Sequence, residues 1–416
     1  MPLRKLIIEN VRSIEHAELD FVTDGEPRQW TVLLGKNGTG KTTILRAAAM
    51  VMAGSDALTE LMREPATWVR NGKRSAKIRA VYSTRDGEPR ETSIEWNAKD
   101  TVTAVVKKNA STLAGLDAAV EYTQRNYFVA GYGSSRRMPA RNSPSFASGE
   151  VYSSLRALSV ATLFSRDAAL RPLDAWAVDL DYSRRDGLKV VREALNALLP
   201  GVRFKKIDKQ KKEILFDTGD GVVALDRLSD GYQNMAGWIG DLLFRLTAAF
   251  ADYAKPLGAG GILLLDEVDL HLHPEWQRQL LRFLSQQLPN FQFLATTHSP
   301  FTAHQCGLEA LHIVERADAK KPPSIRRYEG DARLLRVDQV LSPLLGLATT
   351  DSLETQNLRE EYLSLKAAPK KNAKRLAEVR RELAERPAAQ DGLLSRQERK
   401  MMALMERIEK RVGAAE

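Results

Sequence analysis

The chain has 416 residues, and its 62 Lys and Arg against 53 Asp and Glu give a net charge of +9. With 43% hydrophobic and 28% charged residues it has a globular composition, which excludes a disordered or fibrous chain and fits roughly two to three domains or one large α/β core with an appendage. The lone Cys306 excludes an internal disulfide, the scattered His give no zinc spacing, and no apolar run approaches the roughly 18 residues of a membrane span.

In chain order, residues 3–9, 17–21 and 30–34 are β-rich, and the last runs straight into the glycine-rich stretch GKNGTGKT before a helix at 44–52. Residues 77–108 hold three β-rich pieces, KIRAVYS, TSIEWNA and TVTAVVK, which predict a β-meander over one edge of the core. A strand is expected at 126–131, a loop at 132–149, helices over 150–200 and three short strands over 201–225. A long helix follows at 232–253, with Trp238, Leu242, Leu246 and Ala249 on one face. Then come a buried strand at 262–265, a helix at 275–287, a strand at 291–296 and strands near Leu311 and Ile325. Strands alternating with helices predict an α/β layered core.

Beyond residue 337 the texture is helical and charged. Leu358, Tyr362 and Leu365 share a helical face, as do Leu376, Val379 and Leu383, and then Met401, Leu404, Met405, Ile408 and Val412. Ser395 and Glu398 form a capping box for the last of these helices. The charge is concentrated here, with 14 basic and 8 acidic residues from Lys366 to the end. Whole-chain basicity is therefore no evidence that the core binds nucleic acid.

Gly35, Lys36, Asn37, Gly38, Thr39, Gly40, Lys41 and Thr42, with Thr43 beside them, fit the phosphate-loop pattern GxxxxGK[ST] between a strand and a helix. Glycines let successive N–H groups point at phosphates, Lys41 reaches the β- and γ-phosphates of ATP, and Thr42 is a ligand for Mg²⁺. The run Ile262, Leu263, Leu264, Leu265, Asp266, Glu267 is an apolar strand ending in two acids. Burial on both faces marks a central parallel strand, which sets the acids beside the loop. Asp266 then holds Mg²⁺ through water and Glu267 polarises the attacking water.

Leu228, Ser229, Asp230, Gly231, Tyr232 and Gln233, about 35 residues before the acidic strand, resemble the LSGGQ signature of ABC-type ATPases. The resemblance implies a homodimer, or a higher oligomer, closed head to tail around two nucleotides, with Ser229 and Gly231 of one subunit facing the γ-phosphate held by the other. Asp230 departs from the pattern, which has Gly there, and an ordinary Ser N-cap predicts the same local structure. His298, in TTHSP, resembles the switch histidine of the same class. Asp269, in DEVDLHLHP, resembles the loop crossing the dimer seam in the branch of RecF, SMC proteins and overcoming-lysogenisation-defect ATPases. His271 and His273 alternate on an extended segment, with no third metal ligand evident. The opening LIIENVRSI is similar to the start of that branch, which places Arg12 near the phosphates and Ser13 near the base or sugar. The GYGSSRR segment ending in Arg136 and Arg137 is similar to one found in small standalone members; it suits a phosphate or a partner, and equally a solvated basic loop.

Together these imply an α/β fold, an ABC-type P-loop ATPase head with a mixed central sheet, flanking helices and a β-meander lobe, carrying a C-terminal helical appendage. The expected divisions are 1–125, 126–227, 228–336 and 337–416. About 185 residues without sustained heptads separate loop and signature, which excludes the long arms of SMC proteins. No nuclease motif set is evident; Asp318 and Asp331 are isolated acids. The tail resembles those of standalone defence ATPases that operate with a separate nuclease, such as the Septu ATPase PtuA and retron-associated ATPases. The resulting expectation is a cytoplasmic Mg²⁺-dependent ATPase that regulates an effector such as an HNH nuclease in anti-phage defence, with no membrane partner. The alternative is a RecF-like repair clamp that binds DNA without a nuclease partner.

Overall fold

A computed structural model of the protein describes residues 2–84, 87–122, 128–136, 152–183, 187–199, 201–250, 258–318, 321–341, 344–347, 351–367 and 373–386. The chain divides into two compact units, Met1–Val340 and Leu341–Glu416.

The first unit is built on a six-stranded sheet. Strand Trp30–Leu34 lies between Leu311–Glu315 and Phe291–Thr297; Gly261–Leu265 and Val129–Tyr132 follow on one side, and Ser324–Arg327 closes the other. All pairs are parallel except the last, in which Ser324–Arg327 runs antiparallel. The two central strands are buried along their whole length, as the continuous apolar runs require. In register, Leu34 pairs with Thr297 and Ile313, and Leu265 pairs with Ala295 and Tyr132. The carboxyl ends of these strands therefore reach one edge of the sheet together, where ligand sites of open α/β folds form.

A second sheet is antiparallel, in the order Ile14–Asp20, Leu3–Val11, Ser75–Ser83, Pro89–Asn97. Helix Lys41–Met52 is apolar nearly all round, with Ile44, Leu45, Ala47, Ala48, Met50 and Val51 buried, so it requires cover on every side. It has that cover in a core shared by Leu6 and Ile8 of the antiparallel sheet and by Leu264 and Leu294 of the central sheet. Gln292 joins the two sheets, accepting from the Leu3 N–H at 2.8 Å and donating to the Leu3 carbonyl at 2.9 Å.

Only two of the three pieces expected in the meander are strands. The third is the helix Val102–Lys108, where alternating Thr and Val mimic a strand. Thr101 caps it by accepting from the Ala104 N–H, Lys107 and Lys108 lie in its last turn, and Val105 is its buried contact. The following Asn109 exchanges hydrogen bonds with the Glu95 main chain, at 2.9 Å each way, and so covers an edge that a third strand would have paired.

Helices Leu155–Phe164, Leu173–Ser183 and Gly187–Leu198 fill the expected helical region, and Arg203–Asp208, Glu213–Asp217 and Val222–Ala224 form a small antiparallel sheet. The long helix runs Asp230–Ala249 and starts two residues earlier than its apolar periodicity predicts. In the second unit, helices Leu353–Ala367 and Ala373–Ala384 bury Leu358, Val379 and Leu383, with Tyr362 and Leu365 against them. The expected helix around Met401–Val412, its Ser395 capping box and Arg137 lie outside the described residues. Among the described residues no helix is long and apolar enough to cross a membrane.

Candidate nucleotide site

The phosphate loop joins strand Trp30–Leu34 to helix Lys41–Met52. Gly40, at φ 98°, is the helix N-cap, a left-handed position that Gly occupies without strain. The first helical main-chain bond runs from Ile44 N–H to Gly40 O at 3.1 Å. Lys41, Thr42 and Thr43 are therefore left with N–H groups that have no intrahelical acceptor, an arrangement that attracts anions. Gly35 is closely packed: an added Cβ would fall 2.1 Å from the Val314 carbonyl oxygen. Thr39 Oγ1 donates to Lys36 O at 2.9 Å and steadies the loop. Lys36, Asn37 and Gly38 are exposed.

Lys41 is 5% exposed, and its Nζ donates to Gly35 O at 2.8 Å and Lys36 O at 2.9 Å. Burial lowers its pKa to about 8, against the opposing pull of Asp266 and Glu267. The ammonium is thus held by two neutral carbonyls and lacks a full counter-charge, which a phosphate would supply.

Three hydroxyl bonds organise the acids. Thr42 Oγ1 donates to Asp266 Oδ2 at 2.9 Å, Thr296 Oγ1 donates to Asp266 Oδ1 at 2.7 Å, and Thr296 Oγ1 accepts the Glu267 N–H at 2.7 Å. The carboxylate of Asp266 and the hydroxyl of Thr42 form a hard oxygen donor pair of the kind Mg²⁺ takes, so the residues fit that cation. Glu267 sits at φ 47°, strained for a non-glycine residue. Burial and the adjacent Asp266 raise its pKa, with Lys41 and Arg136 opposing. His298 is half-buried; burial and Lys41 lower its pKa, with the Gly35 backbone and the acids Asp269 and Asp266 opposing.

The other expected residues have different settings. Asp269 is 6% exposed and accepts from Thr297 Oγ1 at 2.5 Å, so its carboxylate is engaged within the chain. Ser13 lies against the loop, its Oγ 2.9 Å from where a Gly40 Cβ would be. Arg12 stacks its guanidinium over Trp68, 3.7 Å from the ring centroid, and burial lowers its pKa to about 10. Ser229 and Asp230 are exposed at the start of the signature helix. Gly231 meets the turn after the acidic strand, where an added Cβ would lie 2.9 Å from His271 O. Among the described residues no group of His, Cys, Asp and Glu could hold a metal by itself, so His271 and His273 gain no third ligand there.

Three features go beyond the motif readings: the bonds by which Thr296 and Thr297, both fully buried, bridge the acids; a polar cluster on the signature helix; and the internal anchoring of Arg136. In the cluster, Asp241 accepts from Tyr132 Oη at 2.9 Å, from Arg245 Nε at 2.5 Å and from the Arg171 N–H at 3.0 Å. The signal for the threonines is two hydroxyls closing a buried strand whose one other polar residue is Gln292. Arg136 is 7% exposed, so the solvated basic loop that its composition allowed does not extend to this side chain.

Two family models match the chain: "AAA domain" over residues 5–140 and "AAA domain, putative AbiEii toxin, Type IV TA system" over residues 124–303. The Septu protein PtuA of Bacillus mycoides is 25% identical over 72% of this chain and 38% of its own length. The "Retron Ec83 probable ATPase" of Escherichia coli is 32% identical over 33% of this chain and 25% of its own length. These matches fit an ABC-type ATPase of the RecF, SMC and overcoming-lysogenisation-defect branch. The chain spans about a quarter to two fifths of the lengths of those two relatives. A solved SMC head domain from Thermotoga maritima is 18% identical, with 79% of this chain and 100% of that one covered at a TM-score of 0.42.

Proposed function

We propose that this chain binds and hydrolyses ATP, dimerises around two nucleotides, and regulates a separate effector, a nuclease, in anti-phage defence. The observation that carries the reading is the hydroxyl chain from Thr42 through Asp266 and Thr296 to Glu267, which ties the phosphate loop to both acids.

The loop N–H groups and Lys41 receive the β- and γ-phosphates, with the helix N-terminus adding its dipole. Thr42 and Asp266 hold Mg²⁺, which when bound supplies charge neutralisation at the phosphates. Glu267 takes a proton from water as the water oxygen bonds to the γ-phosphorus. The bond from that phosphorus to the β–γ bridging oxygen breaks, giving ADP and phosphate. His298 donates a hydrogen bond to the γ-phosphate, and Asp269 orders the turn behind it. Arg12 and Ser13 flank the loop on the nucleotide side. The exposed Ser229 and, two residues on, Gly231 suit an approach by a second subunit's nucleotide, and the relatives' Septu and retron names support a defence setting.

Light scattering of the full chain carrying Glu267→Gln tests the dimer: ATP and Mg²⁺ should double the mass, and an unchanged monomer mass contradicts it. Capture of the tagged chain from its native host should recover a metal-dependent nuclease; recovery of the chain alone removes the effector from the proposal.

A further inference from the structure

The GYGSSRR segment has no role in the reaction as described, yet its Arg136 lies directly beneath the two acids. The guanidinium donates to three main-chain carbonyls, from Nε to Gly133 at 3.1 Å and from one Nη to Asp266 at 2.5 Å and Glu267 at 3.0 Å. On its other side it lies 5.7 Å from the centroid of Trp238, on the signature helix. Burying a guanidinium is costly, and three aligned acceptors offset that cost only when their geometry is fixed.

Strand Val129–Tyr132 pairs in parallel with Gly261–Leu265, and the last ladder bond runs from Asp266 N–H to Tyr132 O at 2.8 Å. The chain then turns at Gly133, packed so closely that an added Cβ would lie 2.1 Å from Thr162 O. Strand Val129–Tyr132 goes no further along this side of Asp266, and Arg136 supplies donors to the Asp266 and Glu267 carbonyls from its side chain. Its bonds fall on carbonyls, leaving the carboxylates of Asp266 and Glu267 to other partners, while its charge offsets Asp266, Asp269 and Glu267. The Glu267 turn, held in its left-handed conformation, has its N–H bound by Thr296 and its carbonyl bound by Arg136 and the Leu270 N–H at 3.0 Å. Removing Arg136 would leave the Glu267 carbonyl with the Leu270 N–H alone and the Asp266 carbonyl without its guanidinium donor.

We propose that Arg136 is a positioning residue for ATP hydrolysis: it grips the main chain at Asp266 and Glu267 so that the Glu267 carboxylate stays aimed at the attacking water. The inference rests on the proposed ATPase reading. A displacement of the base by about 1 Å costs on the order of a hundredfold in rate while leaving phosphate binding to the loop intact.

The test compares full-length wild type, Arg136→Gln and Arg136→Lys in steady-state ATP turnover, titration with a fluorescent ATP analogue, and thermal unfolding. The expected result is a kcat about a hundredfold lower in Arg136→Gln, with KM and analogue affinity within about threefold of wild type and partial recovery of kcat in Arg136→Lys. A kcat near wild type in Arg136→Gln overturns the inference. So does parallel loss of affinity, stability and kcat in both variants, because that marks a role in folding alone. Wild-type turnover that is lost in Glu267→Gln and kept in Arg136→Gln defeats this inference alone. A wild type without turnover defeats the ATPase reading beneath it.

Discussion

Thr42 and Asp266, 224 positions apart in sequence, are joined by a hydrogen bond of 2.9 Å from the Thr42 hydroxyl to Asp266 Oδ2. The parallel register makes that bond, since strands Trp30–Leu34 and Gly261–Leu265 flank Phe291–Thr297 and finish at the same edge. Thr42→Ala removes one oxygen donor from the proposed Mg²⁺ pair. Half-maximal turnover in a Mg²⁺ titration should then require on the order of tenfold more metal, the equivalent of about 1.4 kcal/mol. Chelation of the metal should stop turnover in both proteins.

Gly35 cannot carry a side chain where it stands. Gly35→Ala would drive a Cβ into the Val314 carbonyl, a main-chain atom that cannot swing aside. The expected cost is about 1–3 kcal/mol, measured by denaturant unfolding, together with weaker nucleotide binding because the loop itself must shift.

The cluster on the signature helix is a structural prediction separate from catalysis. Asp241 is fully buried, with Arg245, Tyr132 and the Arg171 N–H as its donors. Asp241→Ala leaves the partly buried Arg245 and two further donors without their carboxylate and should destabilise the first unit by about 3 kcal/mol. Tyr132→Phe removes only one hydroxyl and should cost about 1 kcal/mol. Equal effects in chemical denaturation would contradict this account.

His312 sets an acid limit on stability. Burial first, then Arg28, lowers its pKa to about 4 from 6.5. The imidazole is therefore neutral in the fold while the unfolded chain takes up a proton below about pH 6.5. Its contribution is complete above that pH and declines as pH falls toward 4, by up to about 3 kcal/mol. His312→Leu cannot bind that proton, so its stability should fall less steeply than wild type between pH 6.5 and 4 in parallel denaturation series.

What the sequence made legible follows from how each feature is written in it. The phosphate loop and the acidic strand are contiguous patterns whose periodicity and glycines dictate local structure, and both stand where expected. Residues 101–107, TVTAVVK, alternate like a strand at their start while placing Val102, Val105 and Val106 on one helical face, and Thr101 caps the helix that forms. The GYGSSRR segment marks Arg136 as suited to a phosphate, a partner or a solvated loop, but not to the carbonyls it holds, which no residue pattern encodes. The threonines that bridge the acids are ordinary strand residues until the register sets them beside Asp266 and Asp269.

Phosphate release by full-length wild type and Glu267→Gln, at saturating ATP and Mg²⁺, tests the central claim most directly. The account predicts turnover by wild type and at least about a hundredfold less by the variant, a loss of the size expected for a positioned base, with ATP retained on the variant. Hydrolysis by Glu267→Gln at the wild-type rate would contradict it.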